Sequence, residues 1–88
     1  MMYKTVFHLT NLERSMVEQI ASDIAENDDT FNYNLNDEPL INGKFKFVIY
    51  SDNEKKAYAR GYWFYKKASV KSKFTVMRSK TTNKDVIK

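Results

Sequence analysis

Apolar and polar residues alternate at the start of the chain: Tyr3, Thr5, Phe7 and Leu9 interleave with Lys4, Val6 and His8. A period of two predicts a half-buried strand over about residues 2–9, with Tyr3, Phe7 and Leu9 on the core side and His8 opposite them. The pattern then changes. Thr10-Asn11-Leu12-Glu13 reads as a capping box, in which the Thr hydroxyl and the Glu carboxylate each satisfy an orphan backbone amide. Leu12, Met16, Val17, Ile20, Ala21 and Ile24 follow at spacings of three and four, predicting a helix over about 11–26 with one apolar stripe.

Residues 27–43 are mostly polar, but Phe31, Tyr33 and Leu35 alternate with Thr30, Asn32 and Asn34 and suggest a short edge strand. Pro39 and Asn42-Gly43 mark the main break. Phe45-Lys46-Phe47-Val48-Ile49-Tyr50 has the highest β-propensity in the chain. Beyond it, Ser51-Asp52-Asn53-Glu54 reads as a second capping box. The segment that follows has two readings. A helix over 52–69 places Ala57, Tyr58, Gly61, Tyr62, Tyr65 and Ala68 on one face, and Gly61 costs it about 1 kcal/mol. Alternatively, Gly61-Tyr62-Trp63-Phe64-Tyr65 forms a strand, with 51–54 as a hairpin loop. The capping box, the leading Glu-Lys-Lys-Ala and the length favour the helix. A final strand is expected over 73–78.

The order strand–helix–strand–strand–helix–strand predicts an α+β protein, a small ferredoxin-like βαββαβ sandwich. If the second helix is wrong, the alternative is one helix packed on an antiparallel meander. Either way residues 1–78 form a single domain and 79–88 a polar C-terminal tail, flexible by expectation. At 88 residues there is room for one two-layer core. The start Met-Met-Tyr-Lys-Thr-Val carries no apolar core of a secretion signal, and the longest apolar run is too short for a membrane span. With no cysteine to exploit an oxidising compartment, the cytoplasm is expected.

Charge adds what periodicity does not show. The net +4 is unevenly placed: residues 1–43 hold two bases against eight acids, and residues 44–88 hold thirteen bases against three acids. The bases Lys44, Lys46, Lys55, Lys56, Arg60, Lys66, Lys67 and Lys71 are interleaved with aromatic residues. Lysines neutralise phosphates, and aromatic faces stack on unpaired bases. RNA or single-stranded nucleic acid is therefore the expected partner of a lysine-rich, aromatic-interleaved face. An enzyme is not expected: His8 is the single histidine, cysteine is absent, and two glycines cannot build a phosphate cradle. The acids at Asp28, Asp29, Asp37 and Glu38 lack calcium-loop spacing, so neither metal nor cofactor is expected.

Phe7-His8-Leu9-Thr10-Asn11-Leu12 and Gly43-Lys44-Phe45-Lys46-Phe47-Val48-Ile49-Tyr50 are two short segments that together resemble the RNA-recognition motif. The first is similar to that family's first-strand signature, with His8 at the stacking position. The second is similar to its third-strand signature, although Gly43 and Lys44 stand in inverted order and Lys46 replaces a small residue. The resemblance implies an outward-facing platform of His8, Phe45 and Phe47 that stacks bases. A different class of function is carried beside it: a phage-type inhibitor or adaptor that docks on a host defence nuclease or toxin, alone or with RNA. The lysine- and asparagine-rich composition suits that reading by analogy. Self-association through the oppositely charged halves is a third expectation.

Overall fold

The computed structural model describes residues 2–68, 70 and 73–79. The elements are β1 (Met2–Leu9), α1 (Asn11–Asn27), β2 (Asn32–Leu35), β3 (Phe45–Ser51), α2 (Glu54–Lys67) and β4 (Thr75–Ser79). The strands form one antiparallel sheet in the order β2-β3-β1-β4. Two helices, four antiparallel strands and this element order fit a ferredoxin-like topology. The segment with two readings is a helix. The expected tail began at residue 79, but Ser79 belongs to β4, and 80–88 lie outside the described residues.

Register fixes the two faces of the sheet. Leu9 stands opposite Phe45, Phe7 opposite Phe47 and Thr5 opposite Ile49. All six are buried beneath the helices, where Phe7 and Phe47 (ring centroids 5.8 Å apart) meet Val17 and Ala21 of α1 and Phe64 of α2. The other face carries Lys4, Val6 and His8 of β1 opposite Tyr50, Val48 and Lys46 of β3. There Val6, Val48 and Tyr50 form a second, smaller cluster with Met2.

Thr10 caps α1 as its sequence predicts. Its hydroxyl accepts from Glu13 N at 3.2 Å, and Glu13 Oε1 accepts from Thr10 N at 2.9 Å. The apolar stripe is narrower than its spacing suggests. Val17 and Ala21 are buried with Ile20, Ile24 and Ala25 beside them, whereas Leu12 (75% exposed) and Met16 (44%) face solvent. These two lie about 100° or more around the helix from Val17, beyond the reach of the sheet.

At α2 the second capping box does not form. Ser51 is the last residue of β3 and is buried, so Asn53 caps the helix instead, its Oδ1 accepting from Lys56 N at 2.7 Å. The face that α2 buries is also rotated from the expected one. Ala57, Gly61, Phe64 and Ala68 turn inward. Ala57 meets Thr5 of β1, Gly61 lies against the Phe74 ring, and Phe64 packs among Phe7, Phe31 and Phe47. The tyrosines are left outside. Thr5, fully buried on β1, donates its hydroxyl to Ala57 O at 2.8 Å and ties the first turn of α2 to the central strand.

Two arginines brace the helices from opposite sides. Arg14 of α1 donates Nε to Asn36 O at 3.0 Å, pairs with Glu18 at 2.7 Å and covers the Phe45 ring. Arg60 of α2 donates to Thr30 Oγ1 at 3.3 Å, pairs with Asp28 at 3.7 Å and covers the Phe31 ring. Gly43, with φ at +79°, closes the turn before β3, its N–H donating to Leu40 O at 2.8 Å.

Candidate nucleic-acid interface

The predicted stacking platform does not form. His8 is exposed on the outer face of the sheet, as expected, but Phe45 and Phe47 are on the inner face with Leu9 and Phe7. Phe47 is completely buried and Phe45 is 9% exposed beneath Arg14, so neither presents a ring to a ligand. The cause is parity. A one-residue difference in pairing exchanges the faces of a strand. Here the pairing of β3 with β1 sends Lys46, Val48 and Tyr50 outward in place of the phenylalanines.

The predicted phosphate contacts divide among separate places. Lys46 sits on the outer sheet face opposite His8, partly exposed. Lys44 lies in the turn before β3, its N–H bonded to Asn42 Oδ1 at 2.9 Å. Lys56 pairs with Asp52 at 3.8 Å near the start of α2. The Arg60 side chain is only 17% exposed and is committed to Asp28, Thr30 and Phe31, so it braces the fold. Lys71 lies outside the described residues. Among the described residues, Lys55, Lys66 and Lys67 share one element, are exposed and pair with no carboxylate.

What the structure adds is the aromatic surface of α2. Tyr58, Tyr62 and Tyr65 recur at spacings of four and three and are 43%, 56% and 42% exposed. They form one stripe about 10 Å long along the helix axis. Lys55 stands one turn before the stripe and Lys66 beside its end. With Phe74 and the exposed Lys73, the tyrosines line a cleft of about 320 Å³, and Tyr62 meets the Phe74 ring edge-on at 5.0 Å. Trp63, 41% exposed, lies on the opposite flank, its ring edge-on to Phe64 at 5.0 Å. The sequence signal for this stripe is the small-residue row Ala57-Gly61-Ala68, which competes with the tyrosines for the inward face.

Among the described residues, Asp28 is the ionisable group whose environment clearly shifts it. The Thr30 hydroxyl and amide donate to its carboxylate at 2.6 and 2.9 Å and hold its pKa below the ordinary carboxylate value, aided by the Arg60 and Lys56 charges. Thr30 and Asp28 form a turn that begins β2; this chemistry is structural. Among the described residues no group of His, Asp and Glu side chains is placed to hold a metal ion, and no helix is long and apolar enough to cross a membrane.

Compared with known proteins, the chain matches no family model, no curated protein sequence and no solved structure.

Proposed function

We propose that this chain, as a ferredoxin-like domain of the cytoplasm, binds RNA or other single-stranded nucleic acid on the outer surface of α2 rather than on its sheet. The observation that carries the reading is the Tyr58-Tyr62-Tyr65 stripe, exposed beside the likewise exposed Lys55, Lys66 and Lys73. Tyrosine rings give sequence-tolerant stacking worth about 1–3 kcal/mol per base. Lysines at each end of the stripe supply the phosphate contacts whose counterion release makes such binding salt-dependent. Of the lysine-rich face expected from the sequence this reading keeps Lys55, Lys66 and Lys67, and it exchanges the stacking residues for the tyrosines.

The test is fluorescence anisotropy of labelled single-stranded RNA and DNA at low salt. Binding should appear at micromolar protein, weaken steeply between about 50 and 200 mM salt, and be lost in the Lys55→Glu/Lys66→Glu double variant. No anisotropy change at low salt would overturn the reading. The same tyrosines suit a protein-docking hot spot, since tyrosine is enriched in such sites. Pull-down from a host lysate with and without nuclease separates the two: a partner retained after nuclease treatment supports an adaptor or inhibitor.

A further inference from the structure

At the far edge of the sheet from β4, β2 runs beside α1 with a groove of about 790 Å³ between them. Its floor is apolar, formed by Ala25, Phe31, Tyr33 and Leu35. Its rim holds four carboxylates, Glu18, Asp28, Asp29 and Asp37, of which Glu18 and Asp37 pair with Arg14 (2.7 and 3.4 Å) and Asp28 with Arg60, leaving the rim one to two negative charges in excess among the described residues.

The backbone of β2 is open along this groove. Asn36 N donates to Lys46 O at 3.1 Å, and residues 36 and 46 continue the register that sets Asn34 opposite Val48. In an antiparallel pair every second residue turns its N–H and C=O to the partner strand. Asn32, Asn34 and Asn36 therefore bond to β3, and Tyr33 and Leu35 direct their N–H and C=O groups to the free edge. No described strand lies beyond them.

We infer that this edge captures an extended peptide of a partner protein by strand addition, the peptide carrying lysine or arginine at both ends of a short apolar stretch. The backbone groups of Tyr33 and Leu35 supply the ladder, and every second side chain of the peptide enters the groove over Ala25 and Phe31. The four-residue length of β2 sets the size of the apolar stretch. Asp28 and Asp29 lie before the strand and Asp37 after it, which places the basic residues of the peptide at its two ends. Two alternatives fit less well. A nucleic acid strand would meet the carboxylates, and a second copy paired β2 to β2 would set two acidic rims against each other.

The probe is a labelled Lys-Lys-Val-Thr-Val-Lys-Lys peptide, compared with Glu-Glu-Val-Thr-Val-Glu-Glu and with an N-methylated basic peptide unable to complete the ladder. Amide NMR spectra at up to about 1 mM peptide should show shifts at Tyr33 and Leu35 and new exchange protection there, with the basic peptide alone. The Asp29→Lys/Asp37→Lys variant changes two exposed side chains and gives up the surface pair of Asp37 with Arg14 at 3.4 Å, an exposed pair of little weight for stability. It should fold normally and bind about tenfold more weakly, equivalent to about 1.4 kcal/mol. Equal binding of the acidic or N-methylated peptide would overturn the inference, as would shifts confined to α2 or none at all. Protection of the same amides in the free protein with a doubled mass on sedimentation would assign the edge to a second copy instead.

Discussion

Gly61 and Phe74 meet where no side chain on residue 61 has room: a Cβ there would lie 2.5 Å from Phe74 Cε2. The missing side chain lets the Phe74 ring lie against α2 and reach Phe7 at 5.3 Å. Gly61→Ala should gain about 1 kcal/mol of helix propensity and lose more to overpacking, for a net destabilisation of about 1–2 kcal/mol. Urea unfolding measures it, and adding Phe74→Leu should recover part of the loss. A variant at least as stable as the parent would show that the ring moves aside freely.

Thr5→Val keeps the shape of a fully buried side chain and removes its hydrogen bond to Ala57 O. It should lower stability by about 1 kcal/mol. Because that bond fixes the first turn of α2, hydrogen exchange should accelerate more at residues 54–58 than in α1. Uniform acceleration would argue against a local tie.

The pH dependence has a defined sign. Asp28 is held below the ordinary carboxylate value first by the Thr30 hydroxyl, then by the Thr30 amide. A carboxylate depressed in the folded state contributes stability above its unfolded pKa and loses it as pH falls through the folded one. Thr30→Val should move the Asp28 titration upward, seen directly by NMR. The stability gap between parent and variant should shrink as the solution is acidified below the ordinary carboxylate range.

Substitutions on the two aromatic surfaces should separate binding from folding. Tyr58→Ala should leave the thermal midpoint almost unchanged and weaken oligonucleotide binding by about 1–3 kcal/mol. Phe47→Ala, which opens a cavity among Phe7, Tyr33 and Phe64, should lower stability by about 3–5 kcal/mol. Loss of binding in Phe47→Ala under conditions where it stays folded, with Tyr58→Ala unaffected, would return the site to the sheet.

The legible parts of the chain were those with a local code. Thr10 and Glu13 announce the start of α1 because the capping box is complete within four residues, and the alternation in β1 assigns Phe7 and Leu9 inward correctly. Faces that depend on a distant partner were not legible. Phe45-Lys46-Phe47-Val48-Ile49-Tyr50 has β-propensity on both faces, and its pairing with β1 decides which residues are covered. The same holds for α2, where helical spacing groups Tyr58, Tyr62 and Tyr65 with Ala57, Gly61 and Ala68. The inward side went to Ala57, Gly61, Phe64 and Ala68, with the Phe74 ring seated against Gly61. The nucleic-acid reading moved with that face.

β1 lies between β3 and β4, so the earliest strand of the described fold is flanked on both sides by strands that come much later in the chain. Neither partner is a sequence neighbour, and closing the loops to residues 45–51 and 75–79 must precede any gain from the central ladder. Folding should therefore be slower than that of a helical bundle of the same length, in milliseconds rather than microseconds. Until β4 docks, β1 remains an open edge built around Val6-Phe7, and the nascent chain is most prone to sticking to itself in that interval.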